Sequence, residues 1–139
     1  MPSDAIEPLD DHGLSPTART TLARDVQNRV ADAWQNGRAL ILNANKPGYS
    51  EAFTISAEQY ALLRTAILTA VHTLADDRGE VLLKQIQGHV DDTLSPHPAF
   101  PNGRMTNYTR YTKTDLEARG EVERVPKRSP QRIRRPAAG

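Results

Sequence analysis

The distribution of apolar residues divides the chain into stretches with helical spacing and shorter runs of strand length. Over residues 15–37 one apolar stripe faces a charged side, and the stretch starts at Ser15-Pro16 and stops at Gly37. These features predict an amphipathic N-terminal helix. Residues 1–14 are polar and have no period, so a disordered arm is expected there.

Two runs of strand length follow, at residues 38–42 and 51–55. Pro47-Gly48, between them, fits the central positions of a type II turn, so the sequence predicts a β-hairpin. The turn residues Asn45 to Gly48 could also hold a phosphate in a nucleotide-handling enzyme. No glycine-rich phosphate-binding motif accompanies them, and the structural turn is favoured.

Two helices are predicted after the hairpin. The first opens with a capping box, in which Ser56 and Gln59 each satisfy a free backbone N–H group, and it stops near residues 76–79. The second is indicated by apolar residues at helical spacing from Leu82 or Leu83 to Leu94.

A third helix is predicted over residues 104–119, ending at Gly120. Residues 95–103 contain three prolines and cannot be helical, so they form the turn before it, with Phe100 as the expected core anchor. The run at 122–125, the turn at 126–130 and the arginine-rich segment after it predict a basic β-hairpin.

Composition fits one soluble domain, because 37% of the 139 residues are apolar and 25% are charged. The absence of cysteine excludes disulfides, thiolate metal sites and cysteine nucleophiles. The acidic N-terminus does not resemble a signal peptide, and no run approaches the roughly 18 apolar residues of a membrane span. A cytoplasmic protein without membrane contact is therefore expected.

No pattern indicates catalysis. The four histidines share no metal-ligand spacing, the adjacent aspartate pairs lie near helix ends where their side chains diverge, and no serine lies in a nucleophile motif. The sequence therefore predicts neither a metal nor a cofactor, and the chain is not expected to be an enzyme.

Positive charge collects at the C-terminal end, although the net charge is only +1. Residues 1–37 carry three arginines against six acidic residues, whereas residues 120–139 carry six cations against two glutamates. A helix leading into a basic hairpin is how a winged helix-turn-helix presents a reading helix and a wing to DNA. A solvated basic tail is the alternative.

The outer face of the third helix and the hairpin carry residue types that contact DNA. Arginine and asparagine can read base edges, and threonine or tyrosine can bond phosphate. No acidic residue lies between residues 104 and 114, although an ordinary solvated helix face would also fit. The predicted DNA-binding residues are Arg104, Thr106, Asn107, Arg110, Tyr111, Lys113, Thr114, Lys127, Arg128, Arg132 and Arg134.

Three segments carry a resemblance to known proteins: Asn43 to Tyr49, Ala57 to Tyr60 and Asp115 to Val122. Through them, the stretch from about Leu42 to Arg135 resembles a small bacterial family of unknown function with winged-helix-like architecture. The last segment is similar to the corner where winged-helix proteins turn from the third helix into the wing. The resemblance implies a fold and no catalytic residue.

These observations predict an α+β fold with a winged helix-turn-helix core. The core and its leading hairpin occupy residues 38–135, after the amphipathic helix and before a tail at 136–139. The predicted function is double-stranded DNA binding in transcription regulation, and the alternative is a protein-protein interaction module. A homodimer is also predicted through the N-terminal helix, by its apolar residues Leu22, Val26, Val30 and Trp34.

Overall fold

The computed structural model describes residues 6–46, 49, 52–101, 103 and 105–136. Within these residues the chain is a mixed α+β protein with five helices and two small antiparallel sheets. In chain order the elements are α1 (Pro16–Thr21), α2 (Arg24–Gln35), β1 (Arg38–Ile41), β2 (Phe53–Ser56), α3 (Ala57–Thr73), β3 (Glu80–Leu82), α4 (Leu83–Leu94), α5 (Thr106–Ala118), β4 (Glu123–Arg124) and β5 (Arg132–Arg134).

The N-terminal region differs from its prediction in two ways. One helix over residues 15–37 is predicted, but the chain leaves helical conformation at Leu22, and α1 and α2 are separate. The side-chain amide of Gln27 stabilises this break by donating to the carbonyls of Leu22 and Arg19 at 2.8 and 3.0 Å. Residues 6–14 are not a disordered arm, because Ile6 and Leu9 pack on the core and Leu14 is buried.

The apolar stripe of α2 packs against its own chain. Leu22, Val26 and Val30 are buried in one cluster with Leu14 and Leu42. Trp34 packs on the main core, where its ring meets that of Tyr60 edge to face at 6.4 Å. The surface predicted to join two copies is thus occupied within the monomer, which removes the basis for that dimer.

The leading hairpin is present as predicted. Strand β1 pairs antiparallel with β2, and the register aligns Ala39 with Ile55 and Ile41 with Phe53. Its buried positions alternate along β1, as expected for a ribbon with one face on a core. The Pro47-Gly48 turn lies outside the described residues.

Helix α3 forms the centre of the main core, with Leu63, Ile67 and Val71 fully buried. Its predicted start is confirmed, because the hydroxyl of Ser56 accepts from the backbone N–H of Gln59 at 3.0 Å. The other half of the capping box is absent. The Gln59 amide donates instead to the carbonyl of Ala99, in the proline-rich turn, at 3.1 Å.

Helices α4 and α5 complete the core beneath the proline-rich turn. Phe100 is 3% exposed, which confirms it as the anchor of that turn, and its ring meets that of Tyr108 edge to face. Helix α5 ends as predicted, since Gly120 adopts a φ of +81° that favours glycine. The C-terminal hairpin is also present, with β4 paired to β5.

Strand β3 was not predicted. It joins the C-terminal hairpin in a three-stranded antiparallel sheet of order β3-β5-β4, in which Val81 pairs with Ile133. Three residues are too few for a periodic signal, and their partner strand lies far along the chain. The hairpin is consequently part of a larger sheet, in which β5 is the central strand and β3, from the segment between α3 and α4, is one edge.

Asp76 holds the turn that leads into β3. Its Oδ1 accepts from the backbone N–H groups of Arg78 and Glu80 at 2.9 and 3.0 Å, and Oδ2 accepts from Arg132. The N–H groups of Glu80 and Arg78, followed by the Arg132 charge, lower the pKa of this carboxyl below its ordinary value of 3.8. The ionised form is therefore favoured in the folded protein.

Replacing Asp76 with Ala is expected to lower the melting temperature at neutral pH, since both turn N–H groups lose an acceptor. A carboxyl whose pKa is lower in the folded than in the unfolded protein stabilises the fold at pH values above its unfolded pKa. This contribution is lost as the pH falls through its folded pKa. The deficit of the variant relative to the parent should therefore shrink below about pH 3.8. Thermal scans across pH test this, with the exposed neighbour Asp77→Ala as control. An equal, pH-independent deficit in both variants would contradict it.

Candidate functional site

The outer face of α5 forms the floor of a groove of about 650 Å³. The leading hairpin forms one wall, and the start of α4 with the C-terminal hairpin forms the other. Three elements distant in sequence therefore enclose the face that is predicted to contact a ligand. The lining residues are Ile41, Leu42, Asn43, Asn45, Phe53, Leu83, Arg110, Tyr111, Lys113, Thr114, Arg124 and Gln131.

Positive and uncharged polar groups dominate this groove. Arg110 and Arg124 are exposed, and neither makes an ion pair with a described residue. No aspartate or glutamate occurs among the described residues that line the groove. Two unpaired guanidinium groups without an opposing carboxylate create a local positive potential that attracts an anion.

Two exposed aromatic rings lie side by side at the same groove. Phe53 is 40% exposed and Tyr111 is 48% exposed. Their ring centroids are 5.2 Å apart and the ring planes are inclined by 82°, which is an edge-to-face contact. The described residues contain one other large apolar side chain that is exposed, Leu74, which lies at the end of α3. The groove thus joins cations with accessible π surfaces.

Several predicted contact residues lie on the exposed side of α5. Thr106, Asn107, Arg110 and Tyr111 are exposed, whereas Thr114 is partly buried and donates its hydroxyl to the carbonyl of Arg110 at 3.0 Å. The structure therefore brings four of these side chains together on the first half of the helix. The predicted residue Arg104 lies outside the described residues.

Lys113 does not occupy the exposed position that its prediction assumed. It is 5% exposed, and its Nζ donates to Glu117 Oε2 and to Gln131 Oε1, each at 2.6 Å. The i, i+4 spacing places Glu117 beside it on the helix, and Gln131 approaches from the C-terminal hairpin. Lys113 consequently connects α5 to the hairpin, and its charge is largely neutralised.

The predicted arginines of the C-terminal hairpin face acidic residues of the same sheet or of the turn that leads into it. Arg132 pairs with Asp76 at 3.3 Å and lies 3.9 Å from Glu80. Arg128 lies 3.6 Å from the same Glu80 carboxylate, and Arg134 pairs with Glu123 at 2.7 Å. These pairs stabilise the sheet modestly and reduce the positive charge that the hairpin presents outward.

Lys127 differs from these arginines. It lies in the exposed turn between β4 and β5 and makes no ion pair with a described residue. Of the predicted cations, Arg110 and Lys127 thus have no acidic partner among the described residues, and Arg124, which was not predicted, is a third cation of this kind. Composition alone does not distinguish an unpaired cation such as Lys127 from an arginine that pairs with a carboxylate.

A buried polar network fixes α5 beneath the groove. Asp115 is fully buried and accepts from the backbone N–H of Leu42 at 2.9 Å, from Arg119 Nε at 3.1 Å and from the Tyr60 hydroxyl at 2.7 Å. Arg119 also donates to the carbonyls of Gly13 and Leu40, both at 2.9 Å. The network therefore ties α5 to α3, to the leading hairpin and to the N-terminal segment.

Burial dominates the acid-base behaviour of this network. It raises the pKa of the Asp115 carboxyl, against the opposing effects of Arg119 and of the hydrogen bonds from Leu42 and Tyr60. It also raises the pKa of the Tyr60 phenol well above its usual value. Burial alone would lower the pKa of Arg119, but the Asp115 charge raises it above the usual value, so the guanidinium stays protonated.

Sequence reasoning missed part of the groove. Phe53, Asn43 and Asn45 were assigned to the leading hairpin without any expectation that they would approach α5. Arg124 was overlooked among six C-terminal cations, although the buried neighbour Val125 indicates by strand alternation that Arg124 points outward. No pattern in the sequence indicated that the leading hairpin, α5 and the C-terminal hairpin would line the same groove.

Two classes of feature are absent from the part of the chain that the structure describes. No group of three or more histidine and carboxylate side chains there could hold a metal ion. No helix there has the length and apolarity that crossing a membrane requires.

Comparison with known proteins places the chain in a family. No curated protein and no solved structure matches it significantly. The three segments that carry the resemblance to a family of unknown function, residues 43–49, 57–60 and 115–122, all lie within the region 38–133 that the model of one such family matches. Because that region is more than half of the chain, the protein belongs to the family of unknown function DUF6958.

Proposed function

We propose that residues 57–134 form a winged helix-turn-helix. Three helices and three short strands follow one another as α3, β3, α4, α5, β4 and β5, and the sheet order is β3-β5-β4. In this assignment α5 is the reading helix and the β4–β5 hairpin is the wing. The leading β1–β2 hairpin and the helices α1 and α2 are additions to that core.

The domain then binds double-stranded DNA through the α5 groove, in a cytoplasmic regulatory role. The observation that carries this proposal is the groove's charge: Arg110 and Arg124 have no acidic partner among the described residues, and no described residue of the lining carries a carboxylate. Duplex DNA carries a dense row of phosphate charges, and phosphate contacts supply most of the non-specific affinity of proteins for DNA.

Six exposed residues of α5 and of the wing are each assigned a contact. Asn107 and Arg110, on the first half of α5, reach base edges in the major groove, where asparagine reads adenine and arginine reads guanine. Arg124 and Lys127 on the wing contact phosphates. Thr106 and Tyr111 hydrogen-bond the backbone beside them. Two wing contacts correspond to a salt slope of about −1.8 at −0.9 per phosphate.

The substitution Arg110→Ala is expected to weaken duplex binding and to lower its salt slope by up to about 0.9, because the α5 groove loses one of its two cations without an acidic partner among the described residues. Anisotropy titrations with a labelled random-sequence duplex at about 50 and about 200 mM salt measure this. Arg24→Ala is the matched control, since Arg24 is an exposed arginine on α2 that does not line the groove. Equal affinities of the two variants would contradict the proposal.

The alternative function is docking of a protein partner on the same groove. The observation in its favour is that the arginines at 128, 132 and 134 pair with acidic residues of their own chain, which lowers the outward charge of the wing. Retained affinity of a partner protein at high salt, together with no detectable duplex binding by the parent protein, would favour this alternative.

A further inference from the structure

We propose that the α5 groove binds a single unpaired nucleotide unit, with its base against the Phe53–Tyr111 pair and its phosphate on Arg110 and Arg124. The inference rests on the proposed nucleic-acid binding by the same groove and names the form of ligand that the groove accepts. The unit can belong to a single strand or be a free nucleotide, because the recognised chemistry is the same.

The first argument concerns the aromatic rings. Two of the three large apolar side chains that are exposed in the described residues touch each other here, whereas isolated exposed apolar residues are usually scattered. A duplex presents its bases stacked and paired, so ring faces beside a reading helix have nothing to stack on. An unpaired base offers a π face, and stacking on aromatic side chains is how proteins hold single-stranded nucleic acids.

The second argument concerns the groups around the rings. Arg110 and Arg124 are unpaired cations within the same lining, and they are suited to the phosphate that accompanies each base. Asn43 and Asn45 also line the groove and supply side-chain amide groups for a base edge, although Asn43 Oδ1 already accepts from the backbone N–H of Asn45 at 2.9 Å. Anion-binding, stacking and hydrogen-bonding groups therefore occur in one place.

The third argument concerns shape. Residues of α5, of the leading hairpin and of the C-terminal hairpin line one groove, so a ligand held against Tyr111 is contacted from more than one side. A volume of about 650 Å³ lies within the range of roughly 300–1,000 Å³ that is typical of sites for small ligands. The size of the groove thus suits a nucleotide.

The test compares three probes on the full chain by fluorescence anisotropy: a labelled oligo-dT strand of about 12 nucleotides, a blunt duplex, and unlabelled dTMP as competitor. Tyr111→Ala is expected to weaken strand binding roughly tenfold or more, since a stacking partner is lost. Tyr111→Phe keeps the ring and should restore affinity. Leu74→Ala removes the third exposed apolar side chain, outside the groove, and should change nothing. Thermal scans confirm that each variant is folded.

The outcomes separate the two proposals. Strand binding that depends on the ring at position 111 supports the inference, and displacement by dTMP identifies a free nucleotide as sufficient. Duplex binding without strand or dTMP binding overturns the inference and leaves the proposed function intact. Ring-dependent strand binding without duplex binding supports the inference and contradicts the proposed binding of double-stranded DNA.

Strand affinity that is unchanged in Tyr111→Ala, or lowered equally by Leu74→Ala, overturns the inference. If none of the three probes binds, both the inference and the proposed function are wrong.

Discussion

Replacing Asp115 with Asn is expected to destabilise the protein by about 3–5 kcal/mol, the cost of removing one partner from a buried ion pair. Arg119 is 1% exposed and pairs with this carboxylate at 3.1 Å. Without the negative charge, the guanidinium remains protonated and buried without a counter-ion. Marginal stabilities of about 5–15 kcal/mol make such a loss a large fraction of the total.

The geometry of the site makes Asn a poor substitute despite its shape. Three donors converge on the two carboxylate oxygens of Asp115: the Leu42 N–H, the Arg119 Nε–H and the Tyr60 hydroxyl. An amide has one oxygen, and its NH₂ group would face at least one of these donors. The lost hydrogen bonds therefore add to the lost charge.

Urea unfolding at neutral pH, followed by circular dichroism, measures the change as a shift in midpoint. The control is Asp92→Asn, which makes the same chemical change at an exposed position of α4 and should alter stability by less than about 0.5 kcal/mol. If Asp115→Asn also stayed within that margin, the buried network could not be what holds α5 in place.

Replacing Gly13 with Ala is the second large expected effect, a loss of about 2–5 kcal/mol. Gly13 has a φ of +74°, which costs an L-residue roughly 1–2 kcal/mol. A Cβ at this position would lie 2.5 Å from Cδ2 and 2.6 Å from Cε3 of the Trp34 ring. The ring is packed on the core and cannot yield without strain, which adds about 1–3 kcal/mol.

Gly79→Ala is the matched control for this change. Gly79 has a nearly identical φ of +78°, but a Cβ there would meet nothing within 4 Å. The difference between the two variants in urea unfolding therefore isolates the contact with Trp34 from the backbone term. Equal losses in both would show that residues 6–14 do not pack against the domain, and the disordered arm predicted from the sequence would then be correct.

The two effects are related through Arg119. Its guanidinium donates to the carbonyl of Gly13 as well as to Asp115, so displacement of the N-terminal segment also disturbs the network beneath α5. Because this network sets the position of α5 relative to the leading hairpin, damage to it should also loosen the contact between Phe53 and Tyr111. Binding measurements on destabilised variants accordingly need a temperature at which the variant is fully folded.

Much of the secondary structure was predictable because its signals are local. The Ser56 cap, the glycine end of α5 and the strand runs of both hairpins lie within a few residues of the elements that they define. The apolar faces of α3 and α4 follow from spacing alone. Phe100 was predictable as an anchor since it is the one large apolar residue in a turn that cannot be helical.

The candidate site was predictable only in part. The exposed positions of Asn107, Arg110 and Tyr111 follow from helical periodicity. The burial of Lys113 does not follow from periodicity. Its partner Gln131 belongs to the C-terminal hairpin, and the sequence of the helix does not indicate that the hairpin packs there. The same applies to Arg132, whose acidic partners Asp76 and Glu80 lie beside a strand of three residues.

By itself, the sequence determined the start of α3, the end of α5, the strand runs of both hairpins, which helix faces are apolar and that positive charge gathers at the C-terminal end. Only the tertiary structure decided which cations remain unpaired, that the apolar stripe of α2 is covered by its own chain, and that Phe53 meets Tyr111 across a groove. Caps and periodicity act over a few residues, whereas pairing, burial and groove formation depend on elements that are distant in the chain and meet only when it folds.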